Sequence, residues 1–145
     1  MSWKTISVLA FLAAAGCLTW LAFQDSILGT GPATIAIQIA AGLLMVWARL
    51  TFGVRSFHAA ADPTADSLVT RGPYHYLRHP IYAAVLYALW AGVAAHCSAL
   101  HILVAALAST LFGVRMFAEE QLLRQVYPEY AEYACHTSRV FPFLF

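Results

Sequence analysis

Thirty-five consecutive residues, Pro80 to Val114, contain no Asp, Glu, Lys or Arg. As one helix this run would extend about 50 Å at roughly 1.5 Å per residue, well beyond a hydrocarbon core of roughly 30 Å. It must double back, and His96-Cys97-Ser98-Ala99-Leu100-His101 is the polar interruption at which it can turn. A hairpin of two spans follows, 80–97 and 99–117, with alanines and glycines that let helices approach closely.

The rest of the chain obeys the same solvent. Of its 145 residues 61% are hydrophobic and 10% charged, against roughly 25% charged in soluble domains, which marks an integral membrane protein. Spans are expected at 4–24 and 32–51, joined by the turn QDSILGTGP. Lys4 and Ala14-Ala15-Gly16-Cys17 faintly resemble a lipoprotein signal, but the apolar run continues through Leu18 to Phe23, so a retained helix is expected. Gly29-Thr30-Gly31 follows no strand and does not read as a phosphate loop. The expected fold is all-α, one membrane domain (1–145) of about four transmembrane helices, with a segment 52–79 between spans two and three. From 118 to 145 an amphipathic interfacial helix, broken at Pro128, and an aromatic tail are expected.

Orientation follows from charge. The eight basic residues, Lys4, Arg49, Arg55, Arg71, Arg78, Arg115, Arg124 and Arg139, all fall on one side of a four-span arrangement. The positive-inside rule then places both termini and the 52–79 segment in the cytoplasm, in a bacterial-type inner membrane.

Two stretches concentrate the polar groups, Leu68 to Tyr82 (LVTRGPYHYLRHPIY) and Arg115 to Glu120 (RMFAEE). In an antiparallel hairpin, the start of span three and the end of span four lie at the same membrane face. Arg78-His79 is thereby brought to Arg115, Glu119 and Glu120, with Tyr74, Tyr76 and Tyr82 close by and Tyr87 further along. Singly, the arginines read as interfacial anchors and the glutamates as a solvated helix start. Gathered at membrane depth, where polar groups are costly, they point to function.

GPYHYLRHPIY, followed about 40 residues later by a Glu-Glu pair, then by YPEYAEY and VFPFL, resembles the isoprenylcysteine carboxyl methyltransferase and phospholipid methyltransferase superfamily. The resemblance covers roughly residues 66–143. The family often has Phe-Gly where this chain has Tyr127-Pro128, and members that act on prenylated proteins are longer. The resemblance implies S-adenosylmethionine as cofactor, bound by Tyr74, Leu77, Arg78, His79, Pro80, Tyr82, Glu119 and Glu120. It further implies methyl transfer in which Arg115, Glu119 and Glu120 take catalytic parts, Arg115 by gripping an anionic acceptor in its guanidinium fork. The implied acceptor is lipophilic or membrane-associated, most like an isoprenylcysteine carboxylate, with a phospholipid amine or a small thiol as alternatives.

Other residues have plainer readings. His75 reads as a surface histidine, His96 and His101 lack a third ligand so that no metal is expected, and Arg55 and His58 read as an exposed interfacial segment. Cys17, Cys97 and Cys135 have no ligand spacing and read as small buried thiols. A small four-span transporter or assembly factor is the non-enzyme alternative, weakened by the absence of carboxylates inside the spans. A nicotinamide-dependent reductase would need a basic phosphate-binding cluster that the chain lacks. No nucleic-acid partner is expected, and the oligomeric state is left open.

Overall fold

The computed structural model describes residues 2–53 and 68–142. The readings at Arg55 and His58, residues 54–67 of the 52–79 segment, and the tail's last residues 143–145 lie outside the described residues. The chain forms α1 (Trp3–Phe23), α2 (Pro32–Phe52), a short 3-10 turn (Gly72–His75), α3 (Pro80–His96), α4 (Ala99–Val126) and α5 (Tyr130–His136). Local chemistry sets the ends. The Ser2 hydroxyl accepts from the Thr5 N–H at 3.2 Å to cap α1. Pro32 and Pro80 open α2 and α3 at the first turn, where a missing N–H is harmless. Cys97 enters the left-handed region, φ 30°, and ends α3.

Helices α1, α2 and α4 are each long and apolar enough to cross a membrane, and α3 is a shorter apolar helix of 17 residues. The protein is therefore an all-helical integral membrane protein. α1 runs antiparallel to α4 and packs chiefly against it, while α3 packs chiefly against α2. Trp3 meets Phe117 edge-on at 5.7 Å at one end of the α1–α4 pair, and Trp20 meets His101 at 5.9 Å at the other. Between them Ala14, Ala105 and Ala108 are fully buried beside Leu21, Leu89, Val93 and Phe112. Small residues at such a seam are what dispersion-driven helix packing in lipid selects. The Gln38 amide, half-buried in the second turn of α2, donates to the carbonyls of Ile27 (2.5 Å) and Ala88 (3.1 Å), tying the α1–α2 turn and α3 to one point.

Three expectations change. The expected end of span four at 117 is not a helix end, because α4 continues unbroken to Val126. The change of composition after Arg115 alters what the helix faces without breaking it, and only Pro128 stops it. The expected interfacial helix is thus the last turns of α4 plus the seven-residue α5. Finally, Cys97 and Cys135 are exposed and Cys17 half-buried, not buried thiols. Cys97 sits at a helix terminus and Cys135 on the outer side of α5, where neither packs into the bundle.

Gly92 on α3 has its Cα against the Ile27 carbonyl, and a methyl group there would overlap that carbonyl. Gly92→Ala is expected to destabilise the protein by about 1–3 kcal/mol, read as a lowered melting temperature in detergent. Gly113→Ala, with open space around it, should leave stability unchanged or slightly raised.

Candidate active site

Arg78-His79-Pro80 is held by backbone pairing with the far end of the chain. The Arg78 N–H donates to the Ser138 carbonyl at 2.7 Å, the His79 N–H to the Arg139 carbonyl at 3.1 Å, and the Ser138 N–H to the Tyr76 carbonyl at 3.1 Å. The tail after α5 therefore lies as a strap along the start of α3. The Tyr133 hydroxyl donates to the Tyr74 carbonyl at 2.6 Å, and the Arg78 Nη1 to the Ala134 carbonyl at 3.2 Å, docking α5 on the same segment. The strap's far end is fixed by a hydrogen bond from the Tyr87 hydroxyl to the Val140 carbonyl.

From Ala99 a core of roughly 30 Å is crossed in about 20 residues, so Glu119 and Glu120 stand where α4 leaves the apolar layer. Glu120 is 1% exposed. Arg139 grips it with two hydrogen bonds, Nε to Oε1 at 3.0 Å and Nη2 to Oε2 at 3.1 Å. His79 Nε2 lies 3.3 Å from Oε1, and Arg78 Nε lies 3.7 Å from the same oxygen. Glu119 faces another set of neighbours. Its Oε1 accepts from the Tyr82 hydroxyl at 2.6 Å and lies 3.0 Å from Arg115 Nε. Its Oε2 looks toward His79 Nδ1 at 3.8 Å, beyond hydrogen-bond range. Arg115 also donates from Nε to the Tyr82 hydroxyl and from Nη1 to the Ser7 carbonyl.

The structure thus brings together Arg78, His79, Tyr82, Arg115, Glu119 and Glu120 from the expected set. Tyr74, Leu77 and Pro80 are buried beside them, with Tyr74 also stacked on Phe52 at 5.4 Å. His75 and Tyr76 are exposed and contact each other edge-on at 4.9 Å. Arg115 Nε and Nη1 point inward, to Glu119, Tyr82 and Ser7, rather than outward as an acceptor fork. Sequence reasoning missed Arg139, which it counted only as an interfacial charge, and Tyr130, which is 1% exposed at the start of α5. The one local signal for Arg139 is a lone basic residue between helix α5 and an aromatic tail.

Electrostatics follow the geometry. The hydrogen bonds to Glu120, and then its charge, raise Arg139 above its ordinary value. Burial raises Tyr74 and Tyr130, helped by Tyr133 and Glu119 for the first and by Glu120 for the second. The buried Arg78 Nε and Tyr130 hydroxyl find no hydrogen-bond partner among the described residues. With the unsaturated Oε2 of Glu119, the cluster has donors and acceptors to spare and an aromatic wall. That donor set fits a ligand carrying a cationic sulfonium, ribose hydroxyls and an amino acid end. Among the described residues no group of three His, Cys, Asp or Glu could hold a metal ion.

Residues 27–130 match the family model described as phospholipid methyltransferase. The chain belongs to the phospholipid methyltransferase family. The matched region of this family member spans α2 to α4 and both glutamates, but begins after α1 and ends before Arg139. The chain is also similar to the cobalt-zinc-cadmium resistance protein CzcN of Cupriavidus metallidurans, 34% identical over 78 residues. That match covers 53% of this chain and 36% of the relative, so the chain spans little more than a third of the curated protein it matches. No solved structure matches this phospholipid methyltransferase family member.

Glu120→Ala would leave Arg78 and His79 buried without their carboxylate, and is expected to cost about 3–5 kcal/mol, measured by thermal unfolding in detergent. A pH effect is expected at Tyr133, whose hydroxyl burial pushes up to about 12 from an ordinary 10.0. Its contribution to stability is complete below pH 10.0 and is lost as pH rises toward 12, because the unfolded chain releases that proton first. Tyr133→Phe should flatten the alkaline limb of a stability-versus-pH curve.

Proposed function

We propose that this protein transfers a methyl group from S-adenosylmethionine to a lipophilic or membrane-associated acceptor, most like carboxyl O-methylation of an isoprenylcysteine. The observation that carries the reading is the convergence of His79, Glu119 and Glu120 at the membrane boundary in a chain of this family. S-Adenosylmethionine, when bound, supplies an already activated methyl group, so alignment and water exclusion are the main tasks left to the protein. Tyr74, Leu77, His79, Pro80 and Tyr82 would form the walls of its site, and Glu119 Oε2 would accept from its amino or hydroxyl groups. Glu120, hydrogen-bonded to His79 and Arg139 and with the Arg78 charge 3.7 Å away, holds His79 and the strap in place. Arg115 holds Glu119. An amine acceptor would have to lose a proton, for which Glu119 is the nearest group with a free oxygen.

An apolar cavity of about 430 Å³ opens between α2, α3 and α4, lined by Ile37, Leu86, Tyr87, Trp90 and Phe141 among others. Its size is typical of small-molecule pockets and suits the apolar part of an acceptor. The family's description favours a phospholipid amine as the second reading, and a small thiol is a third. Family membership weighs against the transporter alternative. The basic residues Lys4, Arg49, Arg78 and Arg115 at one end of the bundle support a cytoplasmic site in a bacterial-type inner membrane.

Calorimetry with S-adenosylhomocysteine tests this reading. The folded protein should bind it, and His79→Ala and Glu119→Gln should weaken binding about ten-fold or more, a loss of about 1.4 kcal/mol. Absence of binding by demonstrably folded wild-type protein would overturn the proposal. Radiolabelled methyl incorporation into prenylcysteine analogues, phospholipids and small thiols then separates the acceptors.

A further inference from the structure

Helix α1 precedes the residues that the family model matches, and that match assigns it no part in the site. It nevertheless touches the site's chemistry through Arg115, a guanidinium only 4% exposed. Arg115 Nη1 donates to the Ser7 carbonyl at 3.2 Å. One turn further along α1, the Phe11 ring centroid lies 4.6 Å from the guanidinium carbon, and the Tyr82 ring of α3 lies 5.9 Å from it. Ser7 and Phe11 are four residues apart and so share a helix face. Trp3, one turn before Ser7, meets Phe117 edge-on, which sets the register of α1 against α4 in which Phe11 faces Arg115.

The consequence falls on Glu119. A glutamate carboxylate turns through a broad torsional well unless an oxygen is pinned. Here Oε1 is pinned from two sides, by the Tyr82 hydroxyl at 2.6 Å and Arg115 Nε at 3.0 Å. Oε2 is left facing His79 with no hydrogen bond from it. A guanidinium over a ring face is attracted by the ring quadrupole, more strongly where water is excluded. An aliphatic residue of similar bulk would fill the space without holding the charge.

We propose that Phe11 is a positioning residue. Its ring, with the Ser7 carbonyl, holds Arg115 in the place from which Arg115 and Tyr82 pin Oε1 of Glu119 and present Oε2 to the ligand. Helix α1 is on this account a part of the binding site and not only a membrane anchor. The inference rests on the reading of this cluster as the S-adenosylmethionine site.

The test is a calorimetric titration of S-adenosylhomocysteine into wild type, Phe11→Leu and Phe11→Trp, each first shown folded by its thermal transition. Phe11→Leu is expected to bind about three- to ten-fold more weakly, and Phe11→Trp, which restores a ring face, within about two-fold of wild type. In an Arg115→Gln background Phe11→Leu should add no further loss, since the interaction it removes is already gone. If Arg115→Gln does not fold, the leucine and tryptophan variants decide by themselves. Equal affinity of all three folded proteins, or equal weakening by leucine and tryptophan, overturns the role of Phe11 and leaves the proposed function standing. No binding by folded wild type overturns the proposed function, and this inference with it.

Discussion

The buried carboxylate of Glu120 is the point on which the arrangement depends. A carboxylate taken out of water costs several kcal/mol unless it is paired and hydrogen-bonded, by order of magnitude. Glu120 is 1% exposed, and its partners come from two segments far apart in the chain. Arg78 and His79 stand at the start of α3, and Arg139 stands in the tail beyond α5. One buried charge therefore joins the α3 start, the end of α4 and the C-terminal strap. The backbone pairing of 76–79 with 138–139 places Arg139 over the carboxylate, and the ion pair in turn fixes the strap.

The neighbouring glutamate is used differently because the helix turns. Adjacent residues on an α-helix point about 100° apart, so Glu119 meets Tyr82 of α3 and Arg115 while Glu120 looks toward the strap. Glu120 is closed on all sides by basic groups. Glu119 has one oxygen committed to Tyr82 and Arg115 and the other turned to His79 with capacity left. Two identical side chains in sequence thus divide into one closed by basic partners and one whose second oxygen has no hydrogen bond from the described residues. His79 stands between them, 3.3 Å from one carboxylate and 3.8 Å from the other.

Much of the fold was legible because lipid leaves few choices. Backbone groups must be satisfied within each segment, so long uncharged runs read as helices. The start and end of α1, α2 and α3 fall within one or two residues of those expected. The end of α4 does not, since the loss of hydrophobicity after Arg115 changes the surroundings of the helix without ending it. Composition reports the surroundings of a helix, and only a breaker such as Pro128 reports its end. The usual burial of free cysteine misplaced Cys97 and Cys135, which stand beside polar neighbours, His96 and Ser98 for the first and His136 for the second. Arg139 was missed because a lone basic residue before an aromatic tail fits an interfacial charge equally well, and the arginine is itself exposed while only its carboxylate partner is buried.

By itself the sequence determined that the chain is a bundle of membrane helices, and that a 35-residue uncharged hairpin returns Arg115, Glu119 and Glu120 to the level of Arg78 and His79. Hydrophobic length and the thickness of the bilayer suffice for both. Only the tertiary structure decided which basic group meets which carboxylate. It brought α1 onto Arg115, laid the tail across the start of α3 and gave each glutamate its own partners. Such pairings depend on the rotation of each helix about its axis and on the path of a tail 19 residues beyond Glu120. Those are set by packing between segments, not by the character of any one of them.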